Sequence, residues 1–254
     1  MMAQEVSHSC CNYLYNDDSS NNDLDEYKYL ICLKITADDR SKIVDWCYCI
    51  IEMCQLDRES VTIAMNIVDR FMSNPCRRPS NGIFTHFSHK EILYDRIKYQ
   101  LLAVSALYIA IKVNEQVTFS SEKLAVMSRG IYSKENIEAM ERTILECLSW
   151  RVCAPTALQV GSVILELMII KVQEVDVSIM DVRRWESIRD KLALQTEIAV
   201  RDYQLAVQQP STVAFMALLN AIKIDRNVND CEQELLLNCL LDTLLQVKRL
   251  SSDE

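Results

Sequence analysis

Leu101–Ile111 reads LLAVSALYIAI, eleven residues without a charge, in which only Ser105 and Tyr108 carry polar side-chain atoms. A helix of this composition has no polar face, so other helices must surround it. At eleven residues it is too short to cross a bilayer. The spacing predicts a helix over about 95–113 that serves as the hub of a helical bundle. On its N-terminal side, Val61, Ala64, Ile67, Val68, Phe71 and Met72 recur at helical spacing over 58–72, and Asn74-Pro75 ends the run. Before that, Ile43, Val44, Cys47, Ile50, Ile51 and Cys54 form an apolar stripe over 40–54, with Asp38 or Asp39 placed to cap its start. On the C-terminal side, helices are expected at 120–129 and at 134–148, the latter through Ile137, Met140, Ile144, Leu145 and Leu148.

Outside this core, the segment Asn74 to Tyr94 contains Pro75, Pro79, Asn81-Gly82 and His86-x-x-His89. It is long for a connection within a compact domain, and such segments are either functional or unanchored. Ala154-Pro155-Thr156 interrupts the helical pattern and divides the chain. Four helices are expected after it: one from a Thr156 cap to 172, then 181–203, 210–223 with Pro210 at its start, and 230–249. A break near Gln195 would make them five. The expected organisation is therefore an acidic, partly disordered tail over 1–37, a five-helix domain over 38–153, and a smaller, truncated helical domain over 154–250. Within the tail, disorder is expected through about residue 22 and a short helix over Tyr27 to Ile35.

Composition agrees with an all-α fold. The 254 residues include three glycines, Gly82, Gly130 and Gly161, against about 18 at average usage. Hairpins and phosphate-cradling loops draw on glycine for positive φ. No G-x-G-x-x-G or G-x-x-x-x-G-K exists, which excludes Rossmann, P-loop and kinase-type phosphate sites. The net charge is −9, of which residues 1–39 contribute −6 through eight acids and two lysines. An acidic balance disfavours nucleic-acid binding, which needs clustered Lys and Arg. The eleven cysteines, an odd count without a secretory leader in front of them, read as reduced, mostly buried thiols. Cys10-Cys11, Cys47-x-Cys49 and His86-x-x-His89 lack the partners that a zinc site requires, and no metal or cofactor is expected. The three histidines have no elbow serine or H-E-x-x-H around them, so no enzyme is expected.

Five motifs in order resemble the cyclin box: RSKIVDW (40–46), AMNIVDRFM (64–72), YQLLAVSALYIAIK (99–112), MERTILECLSW (140–150) and APT (154–156). The resemblance covers about residues 38–156, needs no gap between Arg40 and Asp69, and extends more loosely through Leu192–Ala221. It implies a regulatory, non-catalytic cyclin of the nucleus and cytoplasm that forms a heterodimer with a cyclin-dependent serine/threonine kinase and activates it in cell-cycle control. FSSEKL (119–124) and LSW (148–150) lean toward D-type or divergent algal and diatom-type members. The family's structural ion pair falls on Arg40 and Asp69. Its kinase-contacting lysine and glutamate fall on Lys112 and Glu141. Of the acidic pair that usually follows the lysine, only Glu115 is present, after Asn114, and the resemblance implies that Glu115 joins Lys112 and Glu141 in binding the kinase.

Cyclins that recruit R-x-L substrates use an apolar patch on the first helix. Here Ile43 lies within that patch, and Trp46 and Gln100 match it, but Asp39 stands at the Met position and Lys42 at the Ile position. Two charges in an apolar wall imply a vestigial patch with weak or altered docking. No partner is expected among membranes or nucleic acids. The alternative is a cyclin-fold scaffold, or a transcription-factor-like interaction domain without kinase activation, since fold alone does not fix function.

Overall fold

Asp95 starts the hub helix. Its carboxylate accepts hydrogen bonds from the backbone N–H groups of Ile97 and Lys98, at 2.9 and 3.1 Å, capping Arg96–Asn114. The computed structural model describes residues 13–14, 34–73, 89–175, 182–225 and 230–252. Most of the tail, most of the short helix expected over Tyr27 to Ile35, and residues 74–88 of the loop expected over Asn74 to Tyr94 lie outside the described residues. Where they are described, the structure departs from these readings: Tyr13 and Leu14 are buried rather than disordered, Lys34 and Ile35 are not helical, and the end of the loop, His89–Leu93, is a helix. Every described element is helical: α1 Ala37–Cys54, α2 Glu59–Ser73, α3 His89–Leu93, α4 Arg96–Asn114, α5 Ser121–Met127, α6 Lys134–Cys147, α7 Ala157–Val175, α8 Val182–Arg201, α9 Tyr203–Ala206, α10 Pro210–Ile224 and α11 Asp230–Ser252. No strand occurs among them.

The described residues divide into two units, one holding those from Tyr13 to Ala154 together with Val200–Val207, the other holding those over Pro155–Ala199 and from Gln208 onward. In the first unit α4 is the hub, packing against α1, α2, α3, α5 and α6. Leu102, Val104, Leu107, Ala110 and Ile111 are fully buried, each large side chain worth roughly 1.5–3 kcal/mol by removal from water. The stripes expected on α1, α2 and α6 face this same core, through Val44, Cys47, Ile50, Ile51, Ile67, Phe71, Ile137, Met140 and Ile144.

Helix starts differ from the sequence reading in one instructive place. Thr36, rather than Asp38 or Asp39, caps α1, accepting from the Asp39 N–H while the Asp39 carboxylate accepts from the Thr36 N–H. This reciprocal box puts Asp39 inside the first turn. Gln55 ends α1 in a left-handed conformation at φ 54°. Ser133 and Asn136 form a second box at the start of α6.

The second unit packs α7 on α10 and α11. Its core is Val160, Ile164, Leu165, Met168, Trp185, Ile188, Leu192, Leu218, Ile222, Leu236 and Leu240. Thr156 caps α7 as expected, accepting from the Gln159 N–H at 3.1 Å. Gly161 gives Leu192 of α8 its space, since a Cβ there would lie 2.8 Å from Leu192 Cδ1. The helix expected over 181–203 is unbroken at Gln195 and stops at Arg201, where Asp202 caps the short α9. Residues 200–207 therefore group with the first unit, although the sequence reading assigned them to the C-terminal domain. Among the described cysteines, Cys47, Cys49, Cys54, Cys153, Cys231 and Cys239 are free thiols. Cys147 is disulfide-bonded, a departure from the expected all-thiol state.

Candidate partner-binding site

The hub helix ends at a small charged platform. Lys112 lies in the last turn of α4, where a cation is favoured by the unpaired carbonyls. Glu141 projects from α6, which packs directly on α4. Their side chains form an ion pair. Tyr108, one turn before Lys112, places its ring 4.5 Å from the Lys112 ammonium. The lysine side chain is 43% exposed and that of Glu141 is 13% exposed, so the cation is presented outward from a shielded acid. Both stand on helices anchored by the fully buried Ile111, Met140 and Ile144. An ammonium has three N–H donors, so pairing with Glu141 leaves donors free to meet carbonyl oxygens of a second chain.

Next to this platform, Glu115 has a different task. Its Oε1 accepts from the Asp57 N–H at 2.8 Å and from the Ser60 hydroxyl at 3.0 Å, while the Asn114 amide donates to Ser60 at 3.1 Å. Glu115 thereby ties the end of α4 to the turn before α2, through the Asp57 N–H, and to the first turn of α2, through the Ser60 hydroxyl. Of the three residues expected to bind a kinase, Lys112 and Glu141 pair with each other, and Glu115 bonds to Asp57 and Ser60.

Trp150 was legible in the sequence as part of LSW but not as a surface feature. Ser149 and Trp150 are both left-handed, at φ 51° and 63°. The Trp150 N–H donates to the Leu145 carbonyl at 2.8 Å, closing α6. This reversal leaves the indole 70% exposed just beyond the helix that carries Glu141. A left-handed backbone at two non-glycine residues is costly, and an exposed indole offers a large apolar area to a partner.

The pair Arg40–Asp69 is wholly internal. Arg40 Nε and Nη2 donate to the two Asp69 oxygens at 3.0 and 2.7 Å, and Nη1 donates to the Val200 carbonyl at 2.6 Å. Tyr13 donates its hydroxyl to Asp69 at 2.9 Å and lies 3.1 Å from the Tyr99 hydroxyl. The Tyr203 hydroxyl accepts from the Tyr13 and Leu14 N–H groups at 2.9 and 3.3 Å. Burial drives the Tyr13 and Tyr99 phenols above their ordinary range and pushes Tyr203 up to about 12. All three are neutral at physiological pH, with Tyr13 a donor to Asp69 and Tyr203 an acceptor from two backbone N–H groups.

The docking-patch positions are occupied by local partners. Burial raises the Asp39 carboxyl, but the Thr36 N–H and hydroxyl bonds and Arg96 outweigh it and hold the group below its usual value. Arg96 stands 3.3 Å from Asp39, and Lys42 pairs with Asp38 one turn back. Ile43 and Trp46 are half-buried against the core, and Gln100 accepts from the Tyr132 hydroxyl at 3.2 Å. No cluster of three or more His, Cys, Asp or Glu side chains is placed to hold a metal among the described residues. No described helix is long and apolar enough to cross a membrane.

Comparison with known proteins places these features. The N-terminal domain of cyclins matches residues 9–153, which include Arg40, Asp69, Lys112, Glu115 and Glu141. Cyclin-O protein A of Xenopus laevis is 26% identical over 221 residues, covering 84% of this chain and 52% of that protein. The G2/mitotic-specific cyclin-A of Drosophila melanogaster is 28% identical over 123 residues, covering 48% of this chain and 22% of that protein. The chain therefore spans about half or less of these relatives' lengths. A viral cyclin from herpesvirus saimiri superposes with a TM-score of 0.58 at 20% identity, over 86% of each chain, a likeness of fold.

Proposed function

Because the chain belongs to the cyclin family, whose members are regulatory partners of cyclin-dependent kinases, we propose that it binds such a kinase as a heterodimer and activates it. The observation that carries this reading is the Lys112–Glu141 pair, in which the cation at the end of the buried hub helix is presented outward from a shielded acid on α6. A charged pair on rigid elements grips the backbone of a partner segment through charge-assisted hydrogen bonds, each worth roughly 1.5–3 kcal/mol. In a kinase, the segment to be held is the regulatory helix whose glutamate must pair with the ATP-site lysine. A subunit that binds the active placement better shifts the kinase toward it. Trp150 adds apolar area that a partner covers. We further infer residence in nucleus and cytoplasm, and weak recruitment of R-x-L substrates, since Asp39 and Lys42 interrupt the apolar patch.

Immobilised chain, exposed to a cell extract and then assayed for bound histone-kinase activity, tests the reading. The native chain is expected to retain activity, and a Lys112→Ala/Glu141→Ala variant with an unchanged helical circular-dichroism spectrum to lose it. Absence of kinase on the native chain, in extracts from which a control cyclin captures one, would overturn the proposal.

A further inference from the structure

We propose that Tyr108 is a positioning residue for kinase binding: its ring holds the Lys112 ammonium in the orientation that a partner backbone meets. This inference rests on the proposed function and adds a residue to it. The lysine stem has four rotatable carbons and loses rotamer freedom when its head is fixed. Here two groups fix the head from different helices. Glu141 of α6 supplies the counter-charge, and Tyr108 of α4 supplies a ring face 4.5 Å from Nζ. The i, i+4 spacing of Tyr108 and Lys112 puts both on one side of α4. Tyr108 is half-buried against the core, so the ring is itself fixed and does not follow the lysine. An ammonium at this distance from a ring face is attracted by the ring quadrupole.

The two restraints differ in what they leave open. The carboxylate takes a directed N–H donor, whereas the ring attracts the cation through its face. Held between them, the ammonium retains N–H directions toward solvent, where the side chain is 43% exposed. Glu141 alone would allow the head to swing about its carboxylate. Fixing the head in the free chain removes an ordering cost from the binding step. The phenol hydroxyl has no part in this, so phenylalanine preserves the effect and leucine abolishes it.

Two measurements on the full chain test the proposal. In the first, the Lys112 ε-methylene resonances are located by NMR in chain labelled with 13C-lysine, with Lys112→Arg used for assignment. They are expected upfield in the native chain and in Tyr108→Phe, and at the ordinary position in Tyr108→Leu. This readout needs no kinase. In the second, affinity for a recombinant cyclin-dependent kinase captured by the native chain is compared across variants. Tyr108→Leu is expected to weaken binding about two- to five-fold, Tyr108→Phe to restore it, and Tyr108→Leu to add nothing in a Lys112→Ala background. An unshifted Lys112 resonance in the native chain, or an equal Tyr108→Leu loss with and without Lys112, overturns the role of Tyr108. Kinase absent from the native chain with the NMR shift present overturns the kinase reading and, with it, the binding role.

Discussion

Arg40 shows how much can hang on one residue. It is 0% exposed and spends three nitrogens on Asp69 and the Val200 carbonyl, with its guanidinium 5.6 Å from the Tyr203 ring. Asp69→Ala strands that cation, and unfolding in urea is expected to show a loss of about 3–5 kcal/mol. Tyr203→Phe removes only the hydroxyl that accepts from Tyr13 and Leu14, a loss of about 1–3 kcal/mol; an equal or larger loss than Asp69→Ala would contradict this ranking. The same cluster predicts alkaline sensitivity. The phenol of Tyr203 is raised to about 12 by burial, and Tyr13 and Tyr99 are also raised. The fold thus keeps protons that the unfolded chain releases near the ordinary phenol value of about 10. Stability is full below that pH and falls as pH rises through 12, so the melting temperature should drop over this window and drop less steeply in Tyr203→Phe. Thiol chemistry gives a further check. Cys47 is fully buried and raised to about 12, while Cys49 and Cys153 are exposed. Iodoacetamide on the native chain, read by mass spectrometry, should label these two and the exposed Cys231 and spare Cys47. The partnership of Arg40 with Asp69 was legible through the family motif; Tyr13 and Tyr203, lying 190 residues apart, left no local signal.

Elements were legible where periodicity was strong. The centre of α4 has no polar face, and burial on all sides follows from that alone. The stripes of α1, α2 and α6 face the core they were expected to face, because an apolar spacing of three and four residues fits one helical side. What periodicity could not reveal is which unit an element joins. Val200–Val207 begins in the last turn of α8 yet groups with the first unit. There Arg201 donates to Asp45 at 2.7 Å, and the guanidiniums of Arg201 and Arg58 each lie 4.6 Å from the Tyr48 ring. Such contacts join residues 156 apart, a separation that no window along the sequence spans. Arg201→Ala is expected to destabilise the first unit by about 1–2 kcal/mol through the ring contact and the ion pair together. Urea unfolding indistinguishable from the native chain would show that this return segment is not held by Arg201. The reading of Asp38 or Asp39 as the α1 cap failed for a related reason: Thr36 and Asp39 cap reciprocally, and reading acids alone missed the hydroxyl three residues earlier.

At the scale of the whole molecule, the family fold supplies a rigid base and the surface supplies the function. Lys112 and Glu141 were found through motif matching, since neither has a distinctive local pattern. Their pairing across α4 and α6 emerged only with the fold. Glu115, read from the same motif, turned out to tie α4 to the start of α2. Glu115→Ala should therefore lower the melting temperature while leaving kinase affinity per folded molecule unchanged. On the proposed function, the Lys112–Glu141 pair presents defined donors and acceptors to a kinase. The most direct test is kinase affinity of a charge-swapped chain, Lys112→Glu/Glu141→Lys, measured by calorimetry beside the native protein. The swap keeps an ion pair between α4 and α6 and so spares the fold, as helical circular dichroism and melting temperature would verify. Native-like melting with kinase binding lost is the predicted result; native-like melting with kinase binding retained would contradict the claim.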